Sequence, residues 1–188
     1  MAKTKTHQNG ESLSNDDASQ RRPRATPSFA GLSASSAASS RVGKAVSRKR
    51  DTAPELLLRR ALHKRGLRFR VNVNSLAGRP DVVFTRAALA IFVDGDFWHG
   101  RDLDVRLAKL GSGHNAPYWT QKIQANVARD ARVSELLAQQ GWRALRLWES
   151  DLKRSLSTIV DDIEAYVRAH RSSARRLYLT LEKPGLER

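Results

Sequence analysis

Two apolar runs separated by three residues constrain the centre of this chain. Asp81-Val82-Val83-Phe84 and Ala88 to Val93 flank Thr85-Arg86-Ala87, a spacing that predicts a β-hairpin. A hairpin brings its outer ends together, so Asp81 and Asp94 are expected side by side. Upstream, Thr52-Ala53-Pro54-Glu55 has the form of a capping box, with Pro54 tolerated in the first helical turn. The run Leu56 to Arg65 then places Leu58, Ala61 and Leu62 on one helical face, and Gly66 closes it. Leu67 to Val73 alternates apolar and polar residues and predicts a strand, and residues 74–80 predict a turn.

Downstream, the segment Asp94 to Pro117 carries Gly95, Gly100, Gly111 and Gly113 and is expected to be mostly loop. Tyr118 to Gln140 predicts a long helix with Ile123, Val127, Val133, Leu136 and Leu137 facing the core. Trp142 to Trp148 predicts another strand, and Ile159 to Val167 belongs to a final amphipathic helix. Helix, three strands, helix, strand, helix is the order of a small mixed α/β domain.

A chain of 188 residues accommodates one such domain and a tail. Residues 1–40 hold five basic and three acidic positions, and Ser33 to Ser40 contains only Ser and Ala. That stretch is expected to be disordered, because it buries too little apolar surface to offset its ordering entropy. It also lacks the apolar stretch of a secretion signal. The domain is assigned to 41–170, and residues 171–188 to a C-terminal extension. Eleven basic and two acidic residues between Arg41 and Arg70 give a local net charge of +9, within +15 for the whole chain. Such a balance points to a polyanionic partner. No apolar run approaches the roughly 20 residues of a membrane span. The absence of cysteine excludes disulfides, thiolate metal sites and a cysteine nucleophile.

Two carboxylates at neighbouring strand ends can hold Mg²⁺, a hard ion that prefers oxygen ligands. His99, five residues beyond Asp94, is placed to act as a general acid or base, and Glu55 on the first helix could approach the same point. Each has a plainer reading: Glu55 as the capping-box glutamate, Asp94 before Gly95 as a turn residue, His99 as an exposed loop histidine, Asp81 as a turn cap. Only their joint occurrence with a basic surface favours nuclease chemistry.

The blocks Arg50-Asp51-Thr52-Ala53-Pro54-Glu55, Gly78-Arg79-Pro80-Asp81-Val82-Val83-Phe84 and Phe92-Val93-Asp94-Gly95-Asp96-Phe97-Trp98-His99-Gly100 occur in one order and spacing. Together with Tyr118-Trp119, Lys122-Ile123, Asn126-Val127, Arg129-Asp130 and Gly141-Trp142-Arg143, they resemble the very-short-patch repair (Vsr) mismatch endonucleases. The resemblance spans about Arg48 to Asp151. It implies a restriction-endonuclease-like fold of the PD-(D/E)xK class, a central mixed sheet flanked by helices. It implies a Mg²⁺-dependent enzyme that nicks double-stranded DNA beside a T:G mismatch. On the matching positions, Asp81 is the metal-binding aspartate, Val93 offers its backbone carbonyl to the metal, His99 is the catalytic histidine and Glu55 the helix-borne acid. Phe97 and Trp98 are the aromatics that wedge into the base stack. Arg48, Lys49 and Arg50 of the basic cluster, with Lys122, are the candidate DNA contacts.

The chain departs from the family at three points. Asp94 stands where the family commonly has histidine, which makes it a candidate catalytic group and metal ligand. The loop positions matching the family's zinc ligands are Asp96 and Arg101, so no structural zinc is expected. The strand Phe92-Val93-Asp94 lacks the lysine of the wider nuclease class. The leading expectation is a monomeric mismatch-repair endonuclease of the cytoplasm, associated with the nucleoid, with mismatch-repair proteins as further partners and no membrane contact. A restriction or defence role for the same nuclease is the alternative, and a non-catalytic DNA-binding protein the third.

Overall fold

The structure is a computed structural model and describes residues 50–111, Gly113 and 115–170, with Pro27, Gly31 and Leu32 as isolated positions. The rest of the 1–40 segment, Arg48, Lys49 and the 171–188 extension lie outside the described residues.

Helix α1 (Ala53–Lys64) precedes the hairpin of β1 (Val82–Phe84) and β2 (Leu89–Asp94), joined by a short 3-10 turn over Thr85–Ala87. Helices α2 (Leu103–Leu110) and α3 (Ala116–Gln139) lead to β3 (Arg143–Trp148), and α4 (Glu149–His170) follows it directly. The hairpin pairs Val82 with Ile91 and Phe84 with Leu89. Strand β3 lies parallel to β2 on its other side, from Leu89 opposite Arg143 to Asp94 opposite Trp148. The sheet is therefore mixed, in the order β1-β2-β3, with β2 central. This is the α/β architecture of a restriction-endonuclease-like domain.

Side chains alternate across the sheet. Val82, Phe84, Leu89 and Ile91 pack with Leu58 and Leu62 of α1 and with Leu152, Val160, Ile163 and Val167 of α4. Val83, Ala90 and Phe92 form the second core with Leu76 and Leu137, and Val133 of α3 packs against it. Both faces of β2 are thus covered, which is why its sequence is a continuous apolar run rather than an alternating one. Helix α4 is kinked at Ser155, whose φ of −137° and ψ of 36° are not helical.

Three expectations need correction. The strand expected over Leu67–Val73 is one isolated bridge, in which Arg70 and Val83 exchange backbone hydrogen bonds of 2.8 Å. Asn72 follows with φ 52°, and this left-handed residue turns the chain off the sheet edge. The expected loop contains α2, whose Leu103, Leu107 and Leu110 recur at helical spacing between Gly100 and Gly111. Leu136 is 41% exposed, while its neighbour Leu137 is fully buried. The last helix runs from Glu149 to His170 and contains Ile159 to Val167 as expected.

The turn before Asp81 depends on Gly78. Its φ is +74°, and a Cβ there would lie 2.5 Å from Val133 Cγ1 and 3.1 Å from Phe92 Cε1. Gly78→Ala combines a strained backbone with a clash against the second core, so it should cost roughly 2–3 kcal/mol. Urea unfolding measures this; a cost below about 0.5 kcal/mol would mean that the turn relaxes freely.

Candidate active site

Asp81 is the last residue before β1, and two backbone bonds fix it against β2. Its N–H donates to Ile91 O at 2.9 Å, and its Oδ2 accepts the Val93 N–H at 2.7 Å. A strand residue's carbonyl points to the same side as its N–H, so the Val93 carbonyl also faces the Asp81 side of β2. Burial pushes the Asp81 carboxyl up to about 6; the Val93 bond opposes that rise, the nearby Glu55 and Asp94 carboxylates add to it, and Arg59 subtracts.

Glu55 is buried in the first turn of α1. Its Oε2 accepts the Asp51 N–H at 2.9 Å and Arg59 Nη2 at 3.0 Å, and its Oε1 accepts the Thr52 hydroxyl at 2.8 Å. Thr52 makes no side-chain cap hydrogen bond, so the reciprocal capping box expected from the sequence is not formed. Glu55 instead ties Asp51 and Thr52 to the helix and lies near Asp81 as a second acidic group. Arg59, which also pairs with Asp51, balances part of that negative charge.

The hairpin brings Asp94 into the neighbourhood of Asp81, but both Asp94 oxygens are engaged by Arg146. Arg146 Nε donates to Oδ2 at 2.6 Å and Nη2 to Oδ1 at 2.8 Å. Arg146 lies on β3 opposite Phe92, with its guanidinium 4.8 Å from the Phe92 ring centroid. Nη2 also lies 3.2 Å from Asp130 Oδ1. Asp130, on α3, meets His99 Nδ1 at 2.6 Å through Oδ2. Burial pushes the Asp130 carboxyl up, but the His99 hydrogen bond and the Arg146 charge outweigh it and hold it below the usual carboxylate range. An ionised carboxylate only accepts, so the proton in this contact sits on Nδ1 of His99. Asn126, one helical turn before Asp130, donates from Nδ2 to Trp98 O at 2.8 Å. Asn126, Asp130 and Arg146 were not among the candidate residues. A usable signal exists on α3, where Asn126 and Asp130 interrupt the buried stripe of Ile123 and Leu137 at i, i+4 spacing.

The loop after β2 presents the aromatics. Phe97 and Trp98 meet edge to face with centroids 5.0 Å apart, and Trp119 of α3 lies 5.7 and 5.8 Å from them. Trp98 remains 45% exposed. Lys122 follows Trp119 on the same helix and is half-buried, whereas Arg50 is exposed ahead of α1. The loop is fastened by ions and hydroxyls. Arg101 donates to Ser150 Oγ at 2.7 Å and to Asp151 Oδ1 at 2.9 Å, and Ser150 donates to Asp96 Oδ1 at 2.9 Å. Asp96 and Arg101, the positions that match zinc ligands in the family, therefore meet at the start of α4. Among the described residues, no cluster of three or more His, Cys, Asp or Glu side chains could hold a metal ion. No helix among them is long and apolar enough to cross a membrane.

The chain is similar to known DNA endonucleases. Residues 36–105 match the family model described as DNA mismatch endonuclease Vsr. The chain is 43% identical over 112 residues to the type II nicking enzyme V.HpaIIP of Haemophilus parainfluenzae, covering 60% of this chain and 78% of that protein. It is 37% identical over 121 residues to the type II nicking enzyme V.NmeDIP of Neisseria meningitidis serogroup C, covering 64% and 80%. The DNA mismatch endonuclease Vsr of Escherichia coli is 41% identical over 104 residues, covering 55% and 65%.

The Asp81 carboxyl gives a stability test. Its folded value near 6 lies above the unfolded value near 3.9, so the folded chain holds this proton more tightly. Ionised Asp81 thus costs stability above about pH 6, and the cost vanishes below about pH 4. Without added metal, Asp81→Asn should stabilise the chain by about 1–3 kcal/mol at pH 8 and leave it unchanged at pH 4. Urea unfolding in EDTA at both pH values checks this; a loss of stability at pH 8 would contradict it.

Proposed function

Because the chain belongs to the Vsr family of DNA mismatch endonucleases, we propose that it nicks duplex DNA at T:G mismatches in very-short-patch repair, with Mg²⁺ as cofactor. At the coarser level it is a phosphodiester-cleaving DNA endonuclease. The observation that carries the finer reading is the convergence of three features on the carboxyl end of β2. These are a half-buried carboxylate held by the Val93 N–H, a histidine oriented by an aspartate, and a partly exposed ring cluster.

The donors at Asp81 suit a hard divalent ion, since the Asp81 carboxylate and the Val93 carbonyl are both oxygen ligands on one side of β2. Burial first, and then repulsion from Glu55 and Asp94, raise Asp81, and a bound cation would favour the ionised carboxylate against both. When bound, Mg²⁺ supplies charge neutralisation at the scissile phosphate. Asp94 acts in this reading through Arg146, which occupies both its oxygens. His99 moves the proton at Nε2, while Asp130 holds Nδ1–H and stabilises the imidazolium. Glu55 adds negative charge beside Asp81 and anchors the start of α1.

Phe97 and Trp98, backed by Trp119, wedge the base stack. Inserting a ring costs a few kcal/mol of unstacking, least at a mispaired step, so preference for a mismatch arises from deformability as well as from base contacts. Arg50 and Lys122 contact phosphates, as do Arg48 and Lys49 in the segment before α1. The protein acts as a cytoplasmic monomer on the nucleoid.

The names of the relatives support a second reading. Several are called type II nicking enzymes, so the same chemistry could serve a restriction-linked role. A duplex with one T:G mismatch, incubated with Mg²⁺ or with EDTA beside a fully paired control, separates the two. The repair reading expects a nick in the mismatched duplex with Mg²⁺ and none in the other arms. Equal cleavage of both duplexes would favour the second reading, and equal cleavage in EDTA would remove Mg²⁺ from the mechanism. Asp81→Asn should abolish the nick and keep DNA binding. Trp98→Ala should weaken binding to the mismatched duplex by about tenfold more than to the paired one, with little change in thermal stability. Equal losses would make Trp98 a general contact.

A further inference from the structure

A single guanidinium on β3 joins two carboxylates that come from different layers of the fold. Asp94 belongs to the central strand and is only 3% exposed, whereas Asp130 belongs to α3. Arg146 spends Nε and Nη2 on Asp94 at 2.6 and 2.8 Å, and the same Nη2 reaches Asp130 at 3.2 Å and lies 3.4 Å from His99 Nδ1. Its Nη1 is buried with no hydrogen-bond partner among the described residues. A buried donor left unmade is costly, so this arginine is placed for its carboxylates and not for its own satisfaction.

We propose that Arg146 is a positioning residue for the endonuclease: by bridging Asp94 and Asp130 it fixes the Asp130–His99 pair relative to the end of β2. This inference rests on the reading of His99 as the proton-transfer group. The bidentate geometry on Asp94 sets the guanidinium plane, and that plane presents Nη2 to Asp130. The Asp130 carboxylate is thereby held on two sides, by Arg146 through Oδ1 and by His99 through Oδ2. Without the bridge, Asp130 and its His99 partner are tied down among the described residues only by Arg129, which donates to Oδ1 at 3.0 Å from the same helix and is 55% exposed. Nothing then ties the pair to the sheet through Oδ1. A second, simpler role competes: Arg146 could merely neutralise the buried Asp94 charge.

The two roles separate on a background where Asp94 needs no counter-charge. Arg146→Met alone strands a buried carboxylate and can fail to fold. The double variant Asp94→Asn with Arg146→Met strands no charge, and Asp94→Asn alone is its control. The readouts are steady-state nicking of a T:G duplex and the imidazole nitrogen resonances of His99. Positioning expects the double variant to be folded, with kcat about 10- to 100-fold below that of Asp94→Asn, KM unchanged, and the Nδ1–H signal shifted or lost. Equal kcat and an unaltered His99 signal in the two variants would overturn the proposal and leave Arg146 as a counter-ion. Failure of the wild-type chain to nick DNA would instead strike the endonuclease reading, and the His99 resonances would still report whether Arg146 holds the ring.

Discussion

Strand β2 is hydrogen-bonded on both edges and covered on both faces, and the site is built on what this leaves at its carboxyl end. Pairing with β1 turns the Val93 N–H toward Asp81. Pairing with β3 sets Asp94 and Arg146 on one face of the sheet, close enough for a bidentate contact. The chain then leaves the strand through Gly95 into the loop that carries Phe97, Trp98 and His99. A register slip of one residue would send Asp94 to the face of α1 and α4 and a valine toward Arg146. The apolar packing of Ala90 and Phe92 below Arg146 holds that register.

Helix α3 supplies the other half of the frame. Asn126 grips the backbone of Trp98 and Asp130 grips the ring of His99, so two adjacent loop residues are indexed to one helix. Gly100 closes this approach: its φ is +74°, and a Cβ would meet Val127 Cγ2 at 2.7 Å. The loop can lie this close to α3 only because that position lacks a side chain.

Much of this was legible in the sequence. The hairpin follows from the spacing of two apolar runs, and the first helix from Thr52, Pro54 and Gly66, because local chemistry decides both. Asp81, Glu55, His99, Phe97 and Trp98 could be singled out because their motif blocks are contiguous. Arg146 and Asp130 could not, since their meaning lies in contacts across 52 and 31 residues. The failed strand at Leu67–Val73 had the right alternation, but Asn72 took a left-handed conformation that alternation does not encode. Leu136 and Leu137 are indistinguishable by composition, and the rotation of α3 against the sheet decided between them.

The ring of Asp96, Arg101, Ser150 and Asp151 fastens the aromatic loop to the start of α4 with partly exposed charges. Coordination to a metal would be nearly indifferent to added electrolyte, whereas ion pairs of this kind are screened within about 10 Å at 0.1 M salt. Protein–phosphate contacts weaken with the same variable through counterion release. The loop's fastening and the grip on DNA therefore loosen together, and the ionic strength of the surroundings acts on both how tightly the duplex is held and how firmly the aromatic loop is seated.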